Sequence, residues 1–590
     1  MASSARERHP KTNRTPHWPE SLRKTVLKDS LPKVDAPGEF QGVRRPIRVG
    51  LLVDEPPTAR WINETVEQLL CDESVELALV VRSPRPRARW LQRRSLLFTL
   101  WTELDKWAFS EKHDPLTPEL RTYRIETINL SLIDQMGRRT PSSGDLAQIQ
   151  AHHLDLLVQL GSSDLPDGML NCAKYGVWGF HYGAYSQAEA ELALFWDLYD
   201  SCPTCELVLS SRNGDQRRDR VLYRGTFAND LTSLHRNLIL DCRRRAQILL
   251  RCISDFSHQG WRIIASRNTD DLAAGRTDRT SIGRVMPQFI ASWFRRSLRR
   301  LWARVGFREQ WFVAYRRGNA AAHGRETVFD CFTVVKPRGL GNYADPFLFE
   351  RNGKTYLFFE EYDERQPGII CCAEFQPDGT LGQPQRVLAR SYHLSYPSVF
   401  EWRGQVYMLP ETQNNKTIEV YGAVDFPHRW ELAAVLLSKV SAVDPTIFEH
   451  NGKLWLFAAG LGGEGTESNE LSLFFADSLF GKWCPHPMNP IVCDARRARP
   501  AGSLFFQRDL LIRPGQNCAA HYGHAISLNK VEELSETNYR EVPFATILPD
   551  WMDGIFATHT LNQRGGITVL DARAHVPRFT LFKRTASIPS

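Results

Sequence analysis

The sequence lacks a long apolar run. None of its 590 residues sits in an uninterrupted hydrophobic stretch near the ~18–20 needed to cross a bilayer as a helix, so no helical membrane span is expected. The opening residues, MASSARERHPKTNRTPHWPE, carry charge but no apolar core behind it. They do not read as a secretory signal, and the expected address is cytoplasmic. Cysteine is present but unpatterned: there are 12, with one CxxC at Cys202 and Cys205 and one adjacent pair at Cys371 and Cys372. A zinc ribbon needs a second CxxC or a paired-His segment, so the thiols are expected to be reduced and structural, with no metal assigned. Charge of one sign is scarce outside the first 50 residues. That segment holds eleven Lys/Arg against five Asp/Glu, nearly all of the formal +7. Beyond it there is no basic stripe with interleaved aromatics on a suitable fold, so nucleic acid is not an expected partner.

What remains is an ordinary globular composition, 42% hydrophobic and 24% charged, over a length that fits three or four domains. Residues 1–45 are polar, with prolines at 10, 16, 19, 32 and 37 and another at 46, and read as a disordered basic leader. At Ile47 the texture changes. IRVGLLVD reads as a buried strand, PTARWINETVEQLL as an amphipathic helix and VELALVVRS as a second strand. This is a βαβ unit, and it implies a parallel sheet. LDLLVQLGS, the helix-like DLPDGMLNCAKYG and the strand VWGFH continue the pattern. Residues 46–230 are therefore expected to form an open parallel α/β domain.

Residues 231–308 read as a helical connector. Within it MPQFIASWFRRSLRRLWARV, 286–305, sets Met, Phe, Trp, Leu and Ile on one side and arginines largely on the other. Such a helix either docks between domains or lies on an anionic membrane surface.

From about residue 309 to 586 short aromatic strands take over and repeat. ADPFLFERNGKTYLFFEE, SYPSVFEWRGQVYMLPET and VDPTIFEHNGKLWLFAAG align, and weaker copies begin at Ala501 and Asp553. Five units of about four strands predict a five-bladed β-propeller. Asn352-Gly353, Arg403-Gly404 and Asn451-Gly452 mark two-residue hairpin turns. Counting outward from these turns sets Asp345 opposite Glu360, Tyr396 opposite Glu411 and Asp444 opposite Ala459. First strands of propeller blades ring the axis, so Asp345, Asp444, Glu360 and Glu411 are expected to converge there. Arg499, Arg513, Gln516 and His559 are the expected contributions of the later units. A buried acidic cluster is costly unless paired or functional. Two carboxyls with a positioned water suit glycosidic chemistry, and Tyr343, Tyr396 and Trp551 are expected to stack on sugar.

The motifs ADPFLF, YLFFEE, HLSYPSVFE, YMLPET, AVDPTIFEHNGKLWLFA, RPGQNCAAHYG and THTLN resemble the propellers of glycoside hydrolase family 43. They resemble more closely the N-terminal domain of glucosamine inositolphosphorylceramide transferases. By that resemblance Asp345 matches the hydrolases' catalytic base and Asp444 their pKa-tuning aspartate. Their general acid opens the fourth blade, where this chain has Arg499-Pro500-Ala501-Gly502; Glu411 or Glu360 would have to substitute. LDLLVQLGSSDLPDGMLNCAKYGVWGFHYG resembles the formyltransferase fold. That resemblance implies a catalytic Asn-x-His plus Asp. Here His181 fits, Gly179 replaces the Asn, and Asp215 or Asp219 would have to supply the acid. A folate formyl donor is implied only if that site is active.

The expected function is glycosyl transfer or glycan processing in cell-surface glycan or glycolipid synthesis. The expected partner is a sugar, a sugar nucleotide or a lipid-linked sugar, with peripheral membrane contact through 286–305. A non-catalytic glycan-binding scaffold and an amino-sugar formyltransferase are the alternatives.

Overall fold

The computed structural model describes residues 45–84, 95–135, 138–161, 165–166, 168–183, 185–214, 219–266, 281–318, 332–363, 365–463 and 465–578. The leader assigned to 1–45 lies outside them save for Arg45.

The first module is built as its βαβ pattern predicts. Strand β1 (Ile47–Asp54) is followed by α1 (Arg60–Leu70), β2 (Val75–Ser83), α2 (Leu96–Phe109), β3 (Thr127–Asn129) and α3 (Ser143–Ala151). Then come β4 (Leu156–Gln159), β5 (Val177–Tyr182), α4 (Ala190–Asp200), β6 (Thr204–Arg212) and β7 (Arg220–Ala228). Serines start the helices where the sequence changes period: Ser95 accepts from the Phe98 amide and Ser142 from the Asp145 amide. The main sheet runs β7-β6-β5-β4-β1-β2-β3. Five strands are parallel, but β6 pairs antiparallel with both β5 and β7. The sheet is therefore mixed, not parallel throughout. Among its described residues DLPDGMLNCAKYG supplies a 3-10 turn at Met169–Asn171, too short for a crossover helix.

The described residues of 231–306 hold helices α5 (Leu234–Gln259), α6 (Trp261–Ser266) and α7 (Ile282–Gly306). They are not a free connector. Cys242, Ile248, Leu249, Cys252 and Ile253 of α5 join the same core as Trp178 and Phe195, as do Met286 and Phe289 of α7. The 3.6-residue spacing of those apolar positions directs one face of α5 inward along its whole length.

The second module is a five-bladed propeller. Blades one, two and four are four-stranded antiparallel sheets over 342–388, 395–438 and 505–547, and blade three, over 443–493, adds a short fifth strand, Val492–Cys493. Blade five is shared between the two ends of the propeller segment. Its inner strands come from Ile555–Ala557, Leu561–Arg564 and Ile567–Pro577, its outer strands from β8 (Phe307–Arg317) and Thr333–Val335. β8 pairs with the last strand from Phe307↔Pro577 to Arg317↔Ile567 without a bulge. This closes the ring by pairing the two ends of the propeller segment within one blade.

The modules meet through one buried ion pair. Arg251 of α5 forks onto Glu470 of blade three at 2.7 and 2.9 Å, and the Tyr223 hydroxyl donates to the same carboxylate at 2.9 Å. Alongside, the Ala495 amide donates to the Thr226 carbonyl at 2.8 Å. Removing Arg251 strands a carboxylate whose side chain is 3% exposed. Arg251→Ala is expected to destabilise the protein by about 3 kcal/mol, whereas Arg251→Met with Glu470→Leu recovers most of that loss. Calorimetric melting of the three proteins checks this; equal melting of Arg251→Ala and wild type contradicts it.

Candidate functional site

The axial end of the propeller begins with a backbone device used three times. In blade one Ala344 pairs with Glu360 and Phe347 with Phe358, so Asp345 and Pro346 face Phe359 alone. Blades two and three repeat this two-against-one bulge at Tyr396-Pro397 and Asp444-Pro445. Counting from the turns therefore misses by one residue: Ala344, not Asp345, opposes Glu360. The turns themselves are as expected, with positive φ at both central residues of Asn352-Gly353, Arg403-Gly404 and Asn451-Gly452. At the bulges φ is +52° for Asp345, +48° for Tyr396 and +50° for Asp444. Each costs of order 1–2 kcal/mol for a residue with a Cβ.

What holds the strained residues is a chain of carboxylate–amide bonds round the axis. The Asp345 amide donates to Asp571 of blade five at 3.1 Å. The Tyr396 amide donates to Asp345 of blade one at 3.3 Å. The Asp444 amide donates to Glu411 of blade two at 3.1 Å. Each blade's bulge thus hands its N–H to an acid of the blade before it.

The acids so fixed lie together with basic groups. Asp444 accepts from Arg499 Nε at 2.6 Å and from Gln516 Nε2 at 2.7 Å. Arg499 also reaches Glu411 at 3.7 Å and lies under the Tyr522 ring at 5.0 Å. His559 pairs through Nδ1 with Asp571 at 2.6 Å, stacks on Trp311 at 4.2 Å, and leaves Nε2 3.8 Å from Asp345. Thr560 donates to Asp345 at 2.8 Å. Glu360 faces His393 Nε2 at 2.9 Å, while His393 Nδ1 accepts the Gly368 amide.

Burial and crowding of like charge set the proton affinities. Burial, with Asp444, Glu360 and Asp571 adding to it and His559 opposing, raises Asp345 to about 7. Burial and the Asp444 charge push Glu411 well above the usual carboxylate range. Burial also raises Glu360 against the pull of His393. For His559 burial disfavours the cation, but Asp571 and Asp345 outweigh it and raise the ring to about 9. Asp345, His559 and Asp571 each bring one ligand atom within 4.8 Å of the others, a spacing that suits a cation. In the arrangement described, however, the His559 Nδ1 is taken by Asp571 and its raised proton affinity favours an imidazolium over a ligand.

The axis thus gathers Asp345, Asp444, Glu360, Glu411, Arg499, Gln516 and His559. Arg513 is not among them. It forks onto Glu541 at 2.6 Å twice and is buried inside blade four, so it neutralises no axial acid. Tyr396 is a brace, not a sugar platform. Its hydroxyl contacts Thr446 at 3.0 Å and accepts the Gly502 amide at 2.6 Å, its ring packs on Phe347, and none of it is exposed. Tyr343 and Trp551 are likewise buried and offer no face to a ligand. Sequence reasoning missed Asp571, Trp311 and Tyr522. Asp571 had a signal: it is the one acid inside the apolar strand ITVLDARA.

In the α/β module the described residues do not bring the trio implied by resemblance together. His181 is pulled down to about 4 by burial and then by Arg212, and its Nε2 has no hydrogen-bond partner among the described residues. Asp219 therefore does not reach that nitrogen, and Asp215 lies outside the described residues. At Gly179 a Cβ would come within 3.2 Å of Gln159 Oε1, which accepts from Arg212 at 3.0 Å. The space for an asparagine is filled by this pair.

The His559 shift makes a pH prediction. Its folded value, about 9, exceeds the ordinary 6.5, so its contribution to stability is full below about 6.5 and is lost as pH rises through about 9. Thermal melts of wild type are expected to fall across that window, and His559→Gln to flatten the fall; parallel curves contradict the assignment.

Comparison with known proteins places the propeller. Residues 312–561 match the family model described as glucosamine inositolphosphorylceramide transferase 1, N-terminal. Glucosamine inositolphosphorylceramide transferase 1 of Arabidopsis thaliana is 38% identical over 209 residues, 34% of this chain and 27% of that protein. The protein of the same name in Oryza sativa subsp. japonica is 35% identical over 222 residues, 37% and 30% of the two chains. The match thus spans less than a third of these relatives' length. Among solved structures, Zg3597, a family 117 glycoside hydrolase of Zobellia galactanivorans, is similar at 12% identity and a TM-score of 0.31, over 48% of this chain and 98% of its own. The Cellvibrio cellulosa alpha-L-arabinanase complexed with arabinohexaose is similar at 14% identity and a TM-score of 0.27, over 34% and 77%. Residues 312–561, in the propeller, are therefore similar to the N-terminal domain of the glucosamine inositolphosphorylceramide transferases.

Proposed function

We propose that the protein transfers or processes sugar in glycolipid or cell-surface glycan synthesis, at the cytoplasmic face of a membrane, with the propeller axis as its active site. The observation that carries this is the axial cluster itself. Four acids from three blades are buried together, and Asp345, Glu360 and Glu411 hold protons more tightly than free carboxyls do. Perturbed acids of this kind cluster at functional sites.

The roles follow from the environments. Asp345, near 7, suits a general base that takes the proton of an attacking acceptor hydroxyl. Glu411, held protonated by burial and by Asp444, suits the acid. Asp444 is fixed by Arg499 and Gln516, and its charge raises both neighbours. In the reaction a C–O bond forms from the acceptor oxygen to the anomeric carbon and the bond to the donor's leaving group breaks. The acceptor proton goes to Asp345. Arg499 occupies the place of the hydrolases' acid; transfer from an activated donor needs less help for its leaving group than hydrolysis does, and this favours transfer. The relatives' name supplies the substrate class: an amino sugar and a phosphorylated lipid.

A second reading is favoured by one observation. The four acids are only 2–8% exposed, which also suits a scaffold that binds glycan without turning it over. A formyltransferase role for the first module rests on motif resemblance alone; it would need His181, one of Asp215 and Asp219, and a folate donor.

The test is turnover of nucleotide sugars, lipid-linked sugars and aryl furanosides, read by mass spectrometry. Asp345→Asn is expected to lower turnover by about 10²–10⁴-fold with an unchanged circular dichroism spectrum. An Asp345→Asn protein as active as wild type would sink the assignment. Saturable sugar binding without product would establish the scaffold.

A further inference from the structure

Two helices leave large apolar side chains in solvent on the α/β module. Helix α7 changes character along its length. Ile282, Met286 and Phe289 are buried, and the Trp293 ring N–H donates to the Thr232 carbonyl at 2.6 Å. After Trp293 the apolar residues are exposed instead: Phe294, Leu298, Leu301, Trp302 and Val305, each 55–59%. At 100° per residue this second stripe centres roughly opposite the docked one. The sequence therefore turns an apolar face away from the domain's own core.

Helix α2 lies beside α7. Trp101 packs on Phe289 at 4.8 Å and on Trp293 at 6.3 Å, while Gly283 sits against Ser95. These contacts run in the same order along both chains, so the helices are side by side and parallel. α2 buries Phe98 and Trp101 and exposes Leu96, Leu97, Leu100, Leu104 and Trp107, the last at 84%. Ten exposed large apolar side chains on two adjacent helices far exceed the scattered singles normal for a soluble surface.

Charge selects the occupant. α7 holds six arginines and no Asp or Glu. Arg295 and Arg299 follow one edge of its exposed stripe and Arg304 the other. A second copy docking face to face about a two-fold axis would set this arginine row against its own image, and like charges oppose that contact. Anionic headgroups neutralise the same row while acyl chains receive the apolar stripe. We infer that α2 and the second half of α7 form a monotopic docking face for an anionic lipid surface. It rests on the glycolipid reading above for its purpose. α7 runs without a break into β8, the strand that closes the propeller, and Trp302 packs edge-on against Phe307 at 5.0 Å. The propeller is thereby tethered directly to the docking helix.

Flotation of the full chain with sugar-free vesicles tests the docking apart from any turnover. Wild type is expected to float with vesicles of equal phosphatidylglycerol and phosphatidylcholine, less so at high salt, and to stay down with phosphatidylcholine alone. Leu298→Ser with Leu301→Ser, and separately Arg295→Gln with Arg299→Gln and Arg304→Gln, are each expected to weaken partitioning about tenfold or more. The replaced side chains are mostly solvent-exposed, so melting should be unchanged. Wild type that floats with neither vesicle overturns the inference. So does a wild-type dimer, seen by light scattering, that the serine pair converts to monomer; that result assigns the face to a second copy. Docking with no sugar product would fail the functional reading and leave the docking face standing.

Discussion

The axial end of the propeller depends on one interaction: an amide in a strained bulge donating to a buried carboxylate of the neighbouring blade. It occurs from blade one to blade five, from two to one and from three to two. A left-handed residue with a Cβ is unfavourable, and a buried carboxylate without donors is worse. Each defect satisfies the other. The bulge turns Asp345 and Asp444 toward the axis, and the acids hold the bulge open. The proline after each bulged residue fits the arrangement because it has no N–H to leave unpaired there.

This construction explains why the acids differ in character although they lie together. Asp444 has two close cationic or amide donors from blade four. Asp345 has one neutral hydroxyl, one amide and a distant imidazole. Glu411 faces Asp444 closely and Arg499 only at 3.7 Å. Proton affinity therefore rises where the donors thin out.

Much of this was legible in the sequence. The repeat, its glycine turns and the convergence of Asp345, Asp444, Glu360 and Glu411 follow from periodicity and hairpin counting. The off-by-one pairing was not legible, because a bulge depends on what a neighbouring blade offers the freed amide. Arg513 shows the same limit: its strand position suggested the axis, but Glu541 across the sheet captured it. Tyr396 was misjudged because a tyrosine with three blades around it becomes a brace. In the first module β1 and β2 were plain from their apolar runs. The reversal of β6 was not, since a strand's direction depends on its connection and not on its composition. For α7 the sequence left docking and a membrane surface open; its first half is docked in the core and its second half leaves its apolar residues exposed.

The account's central claim is that sugar binds at the propeller axis. The most direct measurement is a crystal structure of the protein soaked with an amino-sugar nucleotide. The account predicts sugar density within hydrogen-bond distance of Asp345 and Glu411, with Tyr522 displaced from over Arg499. Sugar density beside His181, with the axial acids bonded only to one another, would contradict it.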